Sequence, residues 1–416
     1  MARLLEHDSL ELLGRYGVPV PAYEVAGDPD EAAAALERLG GRAVLKALVP
    51  VGGRGKAGAV ARVSGPEEAR AEAARILGSV VRRFPVDRLL VMEALEIRRE
   101  FFLSITFDPA HRGPLVLFSA EGGIEIEELA AERPEAILEL PVDITRGLGV
   151  YQGLDLAERA GLDGPAALQA GEAMAALYTL FRAADCRMVE INPLAEVEGG
   201  RILAASGVVN LDEQALFRHP GLAERASAAE GNGWRPLTPL EEEMREIDAI
   251  DPHVGAIRFA EMDGDIGFMV TGGGYSLTSL AQLIEEGGRP ACTFDITPGR
   301  YEEKMYRAVR AVLSIPRLKG LLIAGNVSNF TRVDIKAAGV ARALKEAGRD
   351  YGEFPVVIRF AGPGVEEARR LIAEVPGVDW HEEGFSLEDA ARRIVERAYG
   401  RAKGEAGGGE DEGEGA

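Results

Sequence analysis

In Val189-Glu190-Ile191-Asn192-Pro193-Leu194 an acid and an amide are separated by a single residue. Alternation along a strand turns Glu190 and Asn192 to one face, and Pro193 is expected to end the run. Such a pair can hold a metal or orient a phosphate, or it can form a solvated strand edge. A second candidate is Val51-Gly52-Gly53-Arg54-Gly55-Lys56-Ala57-Gly58. Its glycines permit close backbone approach, while Arg54 and Lys56 offer positive charge to a phosphate chain. It is not a Walker A loop, because Ala57 stands where Ser or Thr would hold magnesium. A phosphate cradle and a basic hairpin turn both fit it. Gly272-Gly273-Gly274-Tyr275-Ser276-Leu277 fails as a dinucleotide fingerprint, since Leu277 takes the last glycine position. The five histidines (His7, His111, His219, His253 and His381) stand neither beside a nucleophile nor at metal-ligand spacing, so none is expected to be catalytic.

These groups need elements to hold them. The first half mixes strands and helices without strict alternation. Asp8 with Glu11 reads as a helix start, and Asp28-Pro29 as a second one. A strand over 42–49 precedes the glycine-rich turn, and a strand over 59–63 follows it. Further strands are expected over 88–93, 101–107 and 114–120. Beyond residues 235–262 the rhythm changes to strand–helix alternation, with strands over 266–271, 291–295, 321–324 and 355–360. That rhythm predicts a parallel sheet with helices on both faces. Ligands bind at the carboxyl ends of such strands. There the sequence places Gly272–Gly274, Thr297-Pro298-Gly299, Gly325-Asn326 and Gly362-Pro363-Gly364. The fold class expected is α/β: an α+β first domain over 1–245, then a parallel-sheet domain over 246–400. Residues 401–416, dominated by Glu, Asp and Gly, read as a disordered acidic tail.

Composition narrows the partners. With 47 Lys+Arg against 68 Asp+Glu, the net charge is −21, which argues against nucleic acid or an anionic membrane. Two cysteines, far apart, give neither a disulfide framework nor a zinc site. No apolar run is long enough to span a membrane, and a cytoplasmic location is expected.

Five motifs in order carry a resemblance: Gly52–Gly58, Glu121-Gly122-Gly123-Ile124-Glu125-Ile126-Glu127, Tyr151-Gln152-Gly153, Glu190–Leu194 and Ala215-Leu216-Phe217-Arg218. Over about residues 1–400 the chain resembles the nucleotide-binding, β-type subunits of the ADP-forming acyl-CoA synthetases, which include succinyl-CoA synthetase, citryl-CoA synthetase and ATP-citrate lyase. The resemblance implies an ATP-grasp fold followed by a flavodoxin-like CoA-ligase domain. It implies ATP and Mg2+ as cofactors, with CoA held mainly by a partner. That partner is an α-type subunit whose histidine is phosphorylated, and the pair forms a hetero-oligomer. By motif, Lys46 and Gly53-Arg54-Gly55 resemble the phosphate grip, Glu93 the adenine-side position and Glu100 the ribose-side acid. Asn192 matches a magnesium position, and Glu190 the acid that orients the phosphohistidine.

Two departures stand out. The second metal position, an Asp elsewhere, is Ser206 here, and Asp212 or Glu190 could compensate. At the third strand end of the second domain, succinate-specific members carry a Gly-Gly-Ile-x-Arg-Cys type of loop. This chain has Ala324-Gly325-Asn326-Val327-Ser328-Asn329-Phe330-Thr331, which resembles the loop of the citrate-activating members. Citrate adds a hydroxyl and a third carboxylate. Asn326, Asn329, Phe330 and Thr331, with Gly299 and Arg359 on neighbouring strand ends, are the expected substrate contacts, Arg359 taking a carboxylate bidentately. Succinate or malate is the alternative substrate, and a non-catalytic, regulatory β-like partner the alternative class.

Overall fold

A computed structural model describes residues 2–124, 126–228, 236–251, 254–297, 299, 301–329 and 331–400. Phe330 and the acidic tail therefore lie outside the described residues. The chain divides into two compact units, meeting in sequence between Pro236 and Leu237.

The first unit holds two sheets. A four-stranded antiparallel sheet runs in the order Tyr23–Ala26, Leu89–Glu93, Ala43–Ala47, Val60–Val63. The helices Pro29–Arg38 and Pro66–Ile76 pack on it through Ala32, Leu36, Ala69 and Ile76. Asp28 caps the first of these by accepting from the Asp30 and Glu31 N–H groups at 2.9 and 2.8 Å, as the Asp-Pro signal requires. The larger sheet is built around Cys186–Val197 and Ile97–Asp108, paired antiparallel. The 20-residue helix Gly164–Ala183 covers it with Met174, Leu177 and Phe181. Within the Cys186–Val197 strand, Val189 and Ile191 are buried while Glu190 and Asn192 are half-buried, the expected alternation. The strand does not stop at Pro193. A register shift between Ile191 and Leu194 absorbs the proline, and the strand continues to Val197.

The opening helix also differs from its expectation. It spans Glu6–Arg15 with Leu5 as N-cap, and Asp8 lies inside the first turn. Leu4 and Leu5 are buried, so the chain stays extended up to them and the helix starts early. Asp8 then pairs with Arg225 at 3.1 Å instead of capping.

In the second unit the parallel sheet has the order Ile266–Thr271, Gly320–Val327, Val356–Ala361, Asp379–His381. The first three strands are buried almost throughout, as two helix-covered faces demand. Gly274–Glu285 and Leu387–Tyr399 cover one face, and Glu302–Leu313, Val333–Ala347 and Val365–Ala373 the other. The strand expected over 291–295 is a correction. Cys292–Ile296 pairs antiparallel with Ile257–Glu261 and reaches the parallel sheet only through a bridge between Ile266 and Pro290. Its alternating burial, with Thr293 and Asp295 half-exposed, is that of a strand covered on one side. Among the described residues no helix is long and apolar enough to cross a membrane.

Candidate functional site

The first unit gathers its positive charge around one acid. Glu6 is 4% exposed. Lys46, on the Ala43–Ala47 strand, donates from Nζ to Glu6 Oε1 at 2.9 Å and to the Ala205 carbonyl at 2.8 Å. Arg54 pairs with the other Glu6 oxygen, and Ser206 hydrogen-bonds the same carboxylate. Burial alone would raise the Glu6 pKa, but Arg54 and Lys46 outweigh it and hold the carboxyl at about 2. Gly53 (φ +74°) brings the glycine-rich turn against Arg82, and a Cβ there would stand 3.0 Å from the guanidinium. Half-buried Arg3 feels the charges of Arg54, Glu190, Glu6 and Arg82. Burial and the nearby Arg54 push its own pKa down. Lys46, Arg54, Arg82 and Arg3 therefore surround two acids, Glu6 and Glu190, leaving local charge of the sign that phosphates need. Lys56 faces away and pairs with Glu128 at 3.0 Å on the surface.

The other first-unit candidates are held as follows. The half-buried Glu93 accepts from the Ala22 N–H at 3.1 Å. Glu100 lies beside Gly122 and Gly123: its carbonyl accepts from the Gly122 N–H at 2.8 Å. A Cβ on Gly123 would fall 1.9 Å from its carboxylate. Only glycine allows that approach. The Asn192 amide clamps the same loop, accepting from Gly123 N–H at 2.8 Å and donating to the Ile124 carbonyl at 2.9 Å. Two of the resemblance motifs thus meet in space.

For a metal, the donors are meagre. Asn192 and Ser206 are both neutral, and among the described residues no group of three His, Cys, Asp or Glu could hold an ion. The Asp212 carboxylate caps the next turn by accepting from Gln214 N–H at 3.0 Å. The residues present do not make a magnesium site unaided, so such an ion would depend on nucleotide phosphates and water for most of its ligands.

In the second unit the strand ends converge. The Gly272 N–H donates to Asp295 at 3.1 Å, and a Cβ on Gly272 would meet that of Asn326 at 3.1 Å. Ser328 N–H donates to the Ala361 carbonyl and Val333 N–H to the Pro363 carbonyl, both at 2.9 Å. The Gly325–Thr331 loop is therefore stitched to the Gly362–Gly364 loop and leads into the helix Val333–Ala347. Asn329 is exposed, while Asn326, Ser328 and Thr331 are half-exposed. Gly299 packs instead against Val254, where a Cβ would come within 2.4 Å.

Arg359 departs from its expected role. It is 5% exposed, and its guanidinium donates to three carbonyls: Gly325 at 2.7 Å, Phe385 at 2.9 Å and Glu383 at 3.4 Å. Each of its three nitrogens donates to main chain, so it braces the loop from within and is not the open bidentate fork expected. Sequence reasoning missed Glu6, Arg3, Arg82 and, below the loop, Lys336. For Lys336 a signal existed: it falls on the buried stripe of its helix formed by Val333, Ala337, Val340 and Leu344.

An ATP-grasp domain family matches residues 3–196. The succinate–CoA ligase [ADP-forming] β subunit of Rubrobacter xylanophilus is 39% identical over 399 residues, covering 95% of this chain and 98% of the relative. The succinate–CoA ligase [GDP-forming] β subunit of Thermus thermophilus is 39% identical over 379 residues, covering 90% and 94%. Among solved structures, ATP citrate lyase from Methanothrix soehngenii, in complex with citrate and coenzyme A, superposes with a TM-score of 0.75 at 22% identity, over 96% of this chain and all of that one. That likeness confirms the fold, an α/β chain with an ATP-grasp domain followed by a parallel-sheet domain. Full-length identity of 39% settles the family: this chain belongs to the ATP-grasp β subunits of the ADP-forming acid–CoA ligases.

Proposed function

We propose that this chain is the nucleotide-binding subunit of a ligase that joins citrate to CoA, consuming ATP and releasing ADP and phosphate. The observation that carries the substrate is the Gly325–Thr331 loop. It offers neutral donors on Asn326, Ser328, Asn329 and Thr331 at the carboxyl end of a parallel strand, directly before a helix N-terminus that favours anions. Hydroxyl and amide donors suit an acid that carries a hydroxyl as well as carboxylates.

In this reading Lys46, Arg54 and the Gly53 and Gly55 backbone hold the nucleotide phosphates, joined by Arg82 and Arg3. Glu93 and Glu100 face the adenine and ribose. Asn192 and Ser206 lie on the Mg2+ side, and bound Mg2+ would neutralise phosphate charge during transfer. Glu190 orients a histidine of an α-type partner subunit, which takes the γ-phosphoryl group and passes it to a carboxylate of the acid. The CoA thiol then attacks the acyl phosphate, forming the thioester and expelling phosphate, with CoA held mainly by the partner. The local excess of cations around Glu6 supports the phosphate side of this scheme.

A second reading is succinate as the acid, favoured by the names of the relatives at 39% identity. The test is the co-purified complex with its histidine-bearing partner, assayed for CoA- and MgATP-dependent ADP release with citrate, succinate and malate. Turnover with citrate above the other acids is expected. Turnover with succinate alone would establish the second reading, and no turnover with any acid would overturn both.

A further inference from the structure

Among the described residues of the second unit two lysines are buried, and only one is satisfied. Lys304, 2% exposed, donates to Asp248 Oδ1 at 3.1 Å and to the carbonyls of Asp251, Val254 and Gly255 at 2.7, 2.9 and 3.2 Å. Lys336, 4% exposed, has one long hydrogen bond, to Ser328 Oγ at 3.4 Å, and makes no ion pair among the described residues. Its ammonium lies 5.4 Å from the centre of the Phe360 ring. A cation–π contact of that length offsets only a small part of the cost of burying a charge. The acid whose charge acts on it, Asp295, also accepts from the Gly272 N–H at 3.1 Å. Burial accordingly pushes the Lys336 pKa down to about 8.

Geometry says where this charge points. Helical side chains lean toward the N-terminus of their helix. Lys336 lies in the first turn and a half of Val333–Ala347. Its ammonium is therefore carried up under the Gly325–Thr331 loop, 3.8 Å from where a Cβ on Gly325 would stand. There the helix N-terminus and a cation with N–H groups to spare act on the same small volume. Arg359, the other buried cation here, is already committed to carbonyls.

We propose that Lys336 binds a carboxylate of the acid substrate, and that the buried, underused ammonium is the anion-reading element of the loop. This inference rests on the acid–CoA ligase reading above and deepens it. A lysine kept for structure would be partnered as Lys304 is; a lysine kept for a ligand is left short of acceptors until the ligand arrives.

The test uses the complex with the histidine-bearing partner and compares wild type, Lys336→Met and Lys336→Arg. Three quantities are read: phosphohistidine formation from MgATP without acid, KM for the acid, and the unfolding midpoint. For Lys336→Met the expected result is unchanged phosphohistidine formation, an acid KM raised by about 30-fold or more, and an unfolding midpoint at or above wild type. Lys336→Arg, which keeps the charge, should recover part of the loss. An unchanged acid KM in Lys336→Met, or a lower midpoint with KM intact, overturns the proposal by making Lys336 a brace. Loss of phosphohistidine formation in Lys336→Met overturns it too, by placing the lysine on the phosphate side. Absence of acid-dependent turnover in wild type removes the ligase reading and this proposal with it, whereas wild-type turnover with an indifferent variant removes the proposal alone.

Discussion

The nucleotide-side cluster and the strand-end loop solve the same problem, holding positive charge for an anion, in opposite ways. Around Glu6 the cations are partnered in advance: Lys46 and Arg54 pair with a carboxylate that is itself buried. Under the Gly325–Thr331 loop the cation waits with one weak hydroxyl partner. A paired cluster keeps its geometry whether or not a ligand is present, and a ligand must compete with the internal acid. An unpaired buried cation destabilises the fold until its anion binds, and then gives a large return in affinity. A nucleotide carries its own excess of negative charge and can win such a competition. A small acid has to be recognised by a site that has no competing carboxylate.

The largest effect should follow from breaking the paired cluster. Lys46→Met removes a cation from both the phosphate grip and Glu6, so phosphohistidine formation should fall at least about 100-fold. Breaking a buried pair on one side should cost about 3 kcal/mol or more of stability, read by urea unfolding. The pH dependence has a definite sign. Glu6, lowered from the usual 4.5 to about 2, contributes stability that is fully present above pH 4.5 and is lost as pH falls toward 2, about 3 kcal/mol in all. Acid unfolding of a Glu6→Gln variant should lack that component.

The two buried lysines sharpen the contrast. Lys304→Met leaves three carbonyls without this donor and Asp248 with only the Ile257 N–H, and should destabilise by about 3 kcal/mol. Lys336→Met should move stability the other way. A fall from the ordinary 10.5 to about 8 corresponds to about 3 kcal/mol carried against folding at neutral pH. Wild type bears that cost in full below pH 8, where both states are protonated. It sheds the cost between pH 8 and 10.5, where only the unfolded chain still binds the proton. Denaturant midpoints of wild type and Lys336→Met should converge across that interval. A constant gap would mean that the lysine is already compensated.

Much of this was legible beforehand, and what was not has a common cause. The strand–helix rhythm over 266–373 gives both helix-covered faces, because hydrophobic period and glycine punctuation are local signals. The alternation that places Glu190 and Asn192 together is local too. Pairing partners are not local. Cys292–Ile296 reads as one more parallel strand, and only its edge-like burial reveals that it joins Ile257–Glu261. The Lys46–Glu6 contact spans 40 residues of sequence, so an opening helix misplaced by two or three residues hides Glu6. Arg359 illustrates the reverse error. Its position beside the loop is legible, but the three carbonyls that consume its donors come from residues 325, 383 and 385. Lys336 falls on the buried stripe of Val333–Ala347, and a charge on an apolar stripe is the kind of local conflict that marks a site.

The smallest effect tests the neutral part of the loop against its charged part. Asn329 is exposed and follows Ser328, whose backbone is already pinned to Ala361. Asn329→Gly therefore removes one neutral donor without dismantling the loop. A single neutral hydrogen bond is worth about 1 kcal/mol, roughly a fivefold change in affinity. If citrate is the substrate, its KM should rise by about that factor while the KM for succinate, which has no hydroxyl to satisfy, stays put. Initial rates at varied acid decide it. Equal rises for both acids would assign Asn329 to a carboxylate that they share, and selectivity would then rest on the charge beneath the loop.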